Sequence, residues 1–244
     1  MNHTRGAKIT MRRFLIATAV SLALSSNPFA LKAQFLGTGP HDDFRDTTIL
    51  RPPAGSQVAV IVFEDLGCPA CARAHPLEIQ ATQQAHVALV RYDFPLEAHI
   101  WTFEGAVDAR YIQHTLGAKL ADDFRSDVFA AQGVITSKDD LHQFAAAWLQ
   151  KHGQKMPAVM DPNGTLAKEV NADLELGKRL NLQYTPTIVV VTRNAYQVVC
   201  GTKDGANDPA QILPIVKAAL AKTTIVKAPI AKAPIAKAPT AKAH

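Results

Sequence analysis

Two of the three cysteines in the sequence lie three positions apart, in the segment Gly-Cys-Pro-Ala-Cys that ends at Cys71. A pair with this spacing can form a structural disulfide, bind a soft metal ion or act as a redox switch. A disulfide between Cys68 and Cys71 would close a very short loop, which stabilises a folded chain by only about 2 kcal/mol. The spacing therefore favours a redox or metal role over a structural bridge.

The residues around the pair indicate unequal roles for the two thiols. The run 57–65 is apolar and β-branched and a helical pattern begins at Pro69, so Cys68 is expected where a strand gives way to a helix. There its sulfur faces unpaired N–H groups and the positive end of the helix dipole, which lowers the pKa of a thiol. Cys71 lies one turn further along, with its sulfur more covered. Cys68 is therefore predicted to be the nucleophilic thiol of the pair, and Cys71 the thiol that re-forms the Cys68–Cys71 disulfide.

A metal site is an alternative because His75 follows Cys71 by four positions, on the same helical face. Cys68, Cys71 and His75 could offer three ligands to a soft metal ion. A closed site also needs a fourth ligand, and Cys200 lies on a distant predicted strand, where it is expected to be a small buried residue. We therefore expect His75 to be an ordinary helix-face residue, with no metal or cofactor at the site.

The predicted elements place the cysteine pair in an α/β fold. Apolar runs predict strands at residues 57–65, 87–94, 187–191 and 195–200, and helices are predicted at 69–84 and 207–220. Between residues 98 and 180 the patterns are helical. The order predicts a central mixed sheet flanked by helices, with a helical insertion at about residues 98–165 between the second and third core strands.

The N-terminal segment is typical of an exported protein. Arg12 and Arg13 precede an apolar run of 11 residues, 14–24, and small residues follow. A helix that spans a membrane needs about 20 apolar residues, so this run is too short. No cysteine precedes Cys68, which argues against a lipid anchor. We expect a signal peptide at residues 1–33 and a mature protein in the periplasm or secreted, where disulfides persist.

The formal net charge of +5 comes from the two ends of the chain. Residues 1–33 and 221–244 carry five Lys/Arg each and no acid, which leaves 16 basic and 21 acidic residues at 34–220. This mildly acidic body argues against nucleic-acid binding. Prolines recur every five residues in 229–239 and forbid a continuous helix. We expect a linker at 34–55, one domain at 56–220, and a disordered Lys/Ala/Pro-rich tail at 221–244. A solubilising role is favoured for this tail, and contact with anionic envelope surfaces is the alternative.

Three segments resemble the DsbA-like branch of the thioredoxin superfamily: Phe-Glu-Asp-Leu-Gly-Cys-Pro-Ala-Cys-Ala-Arg-Ala-His-Pro at 63–76, Arg-Tyr-Asp-Phe-Pro-Leu-Glu-Ala-His at 91–99, and 176–191, which contains Thr-Pro-Thr. The resemblance covers about residues 56–220. It implies the thioredoxin-like fold and thiol–disulfide exchange, with Cys68 as the attacking thiol and Cys71 as the resolving thiol.

The resemblance also implies a second half of the site, far away in sequence. Pro186 would follow a cis peptide bond and face the two sulfurs, and the Thr185 backbone would then accept an extended substrate chain. Pro69 and Ala70, between the cysteines, would support the site and tune its reduction potential.

One position departs from the resembled pattern. Many thioredoxin-like proteins carry a buried acid six residues before the first cysteine, and Val62 stands there in this sequence. Glu64 and Asp65 are the nearby candidates for handling the proton of Cys71. Strand alternation predicts that at least one of them faces solvent.

We therefore expect an exported thiol–disulfide oxidoreductase, a dithiol oxidase that acts on cysteine-containing exported proteins. The resemblance implies a membrane quinone-linked partner that reoxidises it. Residues 34–56 are too few for the dimerisation domain of DsbC/DsbG-type isomerases, so a monomer is expected. A periplasmic metal-binding protein and a redox-inert binding module on the same scaffold are the alternatives.

Overall fold

The computed structural model describes residues 43–200 and 208–227 of the chain, without the side chains of 224–227. All of these residues belong to one compact unit. The expected signal peptide and most of the expected tail lie outside the described residues.

The described residues contain a four-stranded mixed sheet. Its strands are β1 (Val58–Glu64), β2 (Ala88–Asp93), β3 (Thr187–Thr192) and β4 (Tyr196–Val198), in the order β2-β1-β3-β4. β1 pairs with β2 in parallel and with β3 in antiparallel fashion. Every residue of β1 is buried, because both faces of this central strand are covered.

Six α-helices accompany the sheet in the described residues. They are α1 (Pro69–Ala85), α2 (Thr102–Leu116), α3 (Ala118–Ala130), α4 (Lys138–Lys151), α5 (Thr165–Leu180) and α6 (Ile212–Lys227). Alternate residues of β1 face opposite sides, as a strand requires. Val60 and Val62 pack with Ile212 of α6, whereas Ile61 and Phe63 pack with Leu180 at the end of α5.

The helical insertion has an apolar core of its own. Phe124 of α3 and Trp148 of α4 lie at its centre, edge to face, with ring centroids 5.2 Å apart. The same buried cluster includes Cys68 and Cys71. The cysteine pair therefore lies where the insertion meets the sheet.

The fold class predicted from the sequence is confirmed, including the position of the insertion between β2 and β3. Two boundaries differ from the expected ones. α6 continues to Lys227, past the expected end of the domain at residue 220. Part of the expected linker packs on the domain: Arg45 N–H donates to the Leu180 carbonyl, and Leu50 is 3% exposed.

Candidate active site

Cys68 is fixed at the start of α1 by the turn that follows β1. It is the N-cap of the helix, with φ −82° and ψ 119°, and Pro69 is in the first turn. The Cys68 N–H donates to the Asp65 carbonyl at 3.0 Å, and the Cys68 carbonyl accepts from the Ala72 N–H at 3.1 Å. Its sulfur therefore lies at the positive end of the helix, as the sequence predicted.

The pKa of the Cys68 thiol is lowered to about 6, mainly because the Cys71 thiol donates a hydrogen bond to the Cys68 sulfur. The Thr185 side chain and the backbone N–H groups of Cys71 and Ala70 lower it further, whereas burial acts in the opposite direction. A thiol with a pKa of about 6 is about nine-tenths thiolate at pH 7. Since the thiolate is the attacking form, Cys68 is poised to react.

Cys71 is held in the opposite state. It is 1% exposed, and this burial raises the pKa of its thiol well above the usual value. The hydrogen bond to Cys68 and the negative charges of Cys68 and Glu64 raise this pKa further. The Asp65 N–H donates to the Cys71 sulfur at 3.5 Å and acts in the other direction. Cys71 is therefore a protonated thiol at neutral pH.

The Thr185–Pro186 segment faces the cysteine pair across the site. The peptide bond between these residues is cis, and the Cys68 sulfur lies 3.4 Å from the Thr185 carbonyl oxygen, to which it donates when it is protonated. Thr185 is 8% exposed and lies just before β3. The Thr187 hydroxyl donates to the Tyr184 carbonyl at 2.8 Å, which ties down the chain on either side of Pro186.

Asp65 connects the active-site turn to the loop after β2. Its carboxylate accepts from the Gly67 N–H and the Leu96 N–H, both at 2.7 Å, and lies 2.7 Å from Nδ1 of His99. Gly67 is required here, because a Cβ on it would lie 2.6 Å from the Thr102 methyl group. The Asp65 carboxylate is thus fully used in holding the backbone beside the cysteines.

Gln132, just after α3, also holds this turn. Its side-chain amide donates to the Leu66 carbonyl at 2.6 Å and to the Cys68 carbonyl at 3.1 Å. A single glutamine after a helix gives no sequence signal of this role, and the sequence reasoning missed it. It joins the helical insertion to the cysteine pair.

Glu64, at the end of β1, lies in a buried ionic network beside Cys71. Its carboxylate accepts from Arg91 at 3.0 Å and from Arg125 at 3.2 Å. Burial alone would raise the pKa of Glu64, but Arg91, His75 and Arg125 outweigh it and hold this pKa well below the usual range. Arg91 also bonds Glu78 at 3.0 Å. Burial and the charge of Glu64 raise the pKa of Glu78.

The prediction that Glu64 or Asp65 faces solvent is wrong. The two residues are 2% and 1% exposed, and each finds buried partners from other elements. Arginines on β2 and α3 neutralise Glu64, and backbone N–H groups satisfy Asp65.

Comparison with known proteins decides the family. The profile of the thioredoxin-like domain matches residues 46–220. The chain belongs to this thioredoxin-like family. A search of the curated proteins found no match. The helices of the described residues include none that is long and apolar enough to cross a membrane.

Solved structures resemble this thioredoxin-like protein in fold. The oxidoreductase NmDsbA1 from Neisseria meningitidis is 16% identical, with a TM-score of 0.52 over 72% of this chain and 88% of that one. The thiol–disulfide exchange protein α-DsbA2 from Wolbachia pipientis is 15% identical, with a TM-score of 0.51 over 69% and 84%. Oxidised BdbD from Bacillus subtilis is 18% identical, with a TM-score of 0.55 over 70% and 91%. These similarities confirm the predicted thioredoxin-like fold.

The structure brings together most of the residues that the sequence singled out. Cys68, Cys71 and Thr185 are in contact, and Ala70 contributes its N–H to the Cys68 sulfur. Pro69 is exposed beside the thiol. Cys200 is half-buried just beyond β4, and it forms no disulfide within the described chain.

The metal alternative receives no support from this arrangement. Among the described residues, the potential ligands that converge are Glu64, His75 and Glu78, without either cysteine. One nitrogen of the Arg91 guanidinium bonds both of these carboxylates at 3.0 Å. The arginine therefore takes the place that a cation would occupy.

Proposed function

We propose that the protein is an exported thiol–disulfide oxidoreductase that oxidises dithiols in protein substrates through the Cys68–Cys71 pair. The inequality of the two thiols carries this proposal. The pKa of Cys68 is lowered to about 6 and that of Cys71 is raised, although the two sulfurs share a hydrogen bond. A redox pair needs this inequality, because one thiol reacts with the substrate and the other releases it.

In the proposed reaction, a substrate thiolate attacks the Cys68 sulfur of the oxidised pair. The disulfide to Cys71 breaks, and Cys71 leaves and takes up a proton. A second substrate thiol then loses its proton and attacks the substrate sulfur of the mixed disulfide, which expels Cys68 as a thiolate. The substrate has lost two electrons and two protons, and the pair has gained the two electrons. The Thr185 backbone, beside Cys68, is suited to pair with an extended substrate segment.

The cellular setting of the proposal rests on the sequence. The basic and apolar run of residues 12–33 supports export to the periplasm or beyond, and an oxidase there needs reoxidation, for which we propose a membrane quinone-linked partner. The protein acts as a monomer on cysteine-containing exported proteins. Its basic C-terminal repeats keep it in solution and can also touch anionic envelope surfaces. The thioredoxin-like family and the thiol–disulfide exchange described for α-DsbA2 support the reaction class.

The experiment that tests the proposal is a substrate trap. With Cys71→Ala, Cys68 has no internal thiol to release it, so long-lived mixed disulfides with envelope proteins should accumulate on non-reducing gels. Cys68→Ala is the matched control and should form none. If the two variants give the same adducts, or neither gives any, protein substrates at Cys68 are refuted. A redox titration that finds no Cys68–Cys71 disulfide would leave the redox-inert binding module as the function.

A further inference from the structure

His75 is a buried histidine for which the reaction above has no use. It lies one turn after Cys71 in α1, and it is 2% exposed. Nε2 of its ring is 2.8 Å from the Ser126 hydroxyl of α3, and the ring lies 4.9 Å from the Phe129 ring. The side chain is therefore enclosed between α1, α3 and the end of β1.

The hydrogen-bond partners of the neutral His75 ring are consistent with a proton on Nε2. The Ser126 hydroxyl has one hydrogen, and it donates this hydrogen to the Asp122 carbonyl at 2.9 Å. Ser126 can then only accept from His75, so Nε2 carries the ring proton. In this neutral tautomer Nδ1 carries a lone pair and has no hydrogen-bond partner among the described residues. His75 lowers the pKa of Glu64 when Nδ1 carries a proton.

The atom that faces this lone pair is a carboxylate oxygen. Nδ1 lies 3.8 Å from an oxygen of Glu64. Two acceptors facing each other in a buried site are unfavourable, and a proton on Nδ1 turns the contact into an ion pair. A cavity of about 460 Å³ between α1 and α3 is lined by His75, Ser126 and Phe129.

Charged groups surround His75 from every packed element. Glu64 comes from β1, Arg91 from β2, Arg125 and Asp122 from α3, and Glu78 and Cys71 from α1 itself. Arg91 and Arg125 both bond Glu64. Arg91 also bonds Glu78 and Asp122. A proton on His75 thus adds a third cation to the group around Glu64.

We propose that His75 is a redox-linked proton site: Nδ1 takes up a proton when the Cys68–Cys71 disulfide is reduced, and releases it on reoxidation. The inference rests on the proposed function. Reduction replaces a neutral disulfide with a Cys68 thiolate and a Cys71 thiol. It thereby adds a negative charge on the Cys68 sulfur, two helical turns before His75 and hydrogen-bonded to Cys71, which lies one turn before His75. This charge and Glu64 attract the imidazolium. By linkage, the proton on His75 in turn stabilises the reduced protein.

The proton balance of dithiol oxidation closes with this site. A dithiol substrate that becomes a disulfide releases two electrons and two protons. The electrons break the Cys68–Cys71 bond, one proton goes to Cys71, and the other goes to His75. Reoxidation by an acceptor of two electrons returns both protons to solvent. Among the described residues, His75 has no hydrogen bond to either sulfur. Its role is to hold the second proton beside the redox pair, which makes it a positioning residue.

The test is the pH dependence of the reduction equilibrium, measured for the full chain against a reference couple of known pH dependence. One proton per two electrons changes the equilibrium constant about tenfold per pH unit, and two protons change it about a hundredfold. Between about pH 7 and 8, above the pKa of Cys68 of about 6, the native protein should exceed the one-proton slope. His75→Gln should follow the one-proton slope.

Two control variants make the outcome specific. His114 is 48% exposed and paired with Glu169 at 3.2 Å, so His114→Gln should keep the native slope. Glu78→Gln should also keep it. A one-proton slope in the native protein overturns the proposal even if the His75 variant does not fold. A slope that falls with Glu78→Gln but not with His75→Gln overturns it too. Failure to observe any Cys68–Cys71 equilibrium refutes the proposed function instead.

Discussion

The hydrogen bond from Cys71 to Cys68 can be tested by removing its donor. It is the largest contribution that lowers the pKa of Cys68 to about 6. A hydrogen bond to a charged group contributes about 1.5–3 kcal/mol, and 1.36 kcal/mol corresponds to one pKa unit. Cys71→Ala should therefore raise the pKa of Cys68 by about one to two units, to roughly 7–8.

The assay is the rate of alkylation of the reduced protein as a function of pH, with Cys200→Ala in every protein to remove the background thiol. The midpoint of the curve reports the pKa of Cys68. At pH 6 the thiolate fraction should fall from about one half to about one tenth or less in Cys71→Ala. Cys71→Ser is the matched control, because its hydroxyl can still donate, and it should retain most of the lowering.

An unchanged midpoint in Cys71→Ala would refute this reasoning. The thiolate would then be stabilised by the start of α1 and by Thr185 alone. A midpoint raised equally in Cys71→Ser and Cys71→Ala would show that packing around the pair, and not the donated hydrogen bond, sets the pKa of Cys68.

Three further predictions concern stability. The pKa of Cys68 is lower in the folded protein than in the unfolded chain, so its contribution to stability is present at high pH and is lost as pH falls through about 6. In urea unfolding of the reduced proteins, the free energy of unfolding relative to Cys68→Ala should therefore increase by about 2 kcal/mol from pH 6 to pH 8. Gly67→Ala, whose Cβ would lie 2.6 Å from a methyl group, should cost about 1–3 kcal/mol and slow thiol exchange. Gly133→Ala, whose Cβ has no described atom within 4 Å, should do neither. Arg125→Met, which leaves two buried carboxylates short of a partner, should lower the free energy of unfolding by about 3–5 kcal/mol. Lys119→Met, at an exposed pair, should cost under about 1 kcal/mol in the same melts.

The local patterns of the sequence were sufficient for the fold and for the centre of the site. The apolar run of β1 and the helical pattern after Pro69 place Cys68 at a helix start, because a strand and a helix have different periods. The Thr-Pro-Thr segment located Thr185 opposite the sulfurs only through the family resemblance. No periodicity connects residues that are 117 positions apart.

The buried charges near the site could not be predicted, because their partners come from distant parts of the chain. Glu64 is separated from Arg91 by 27 positions and from Arg125 by 61. Strand alternation alone assigns one of two adjacent acids to solvent. It cannot anticipate that two arginines converge on Glu64 while backbone N–H groups satisfy Asp65. The role of Gln132 depends on the same kind of non-local contact.

The most direct test of the proposed reaction is the transfer of the disulfide itself. The oxidised protein is mixed with an equal amount of a reduced peptide that contains two cysteines, and both are measured by mass spectrometry after acid quenching. The proposal predicts that the peptide loses two hydrogens while Cys68 and Cys71 gain them, through an intermediate with the peptide bound to Cys68. A peptide that stays reduced, or one that is oxidised equally well by Cys68→Ala, would contradict it.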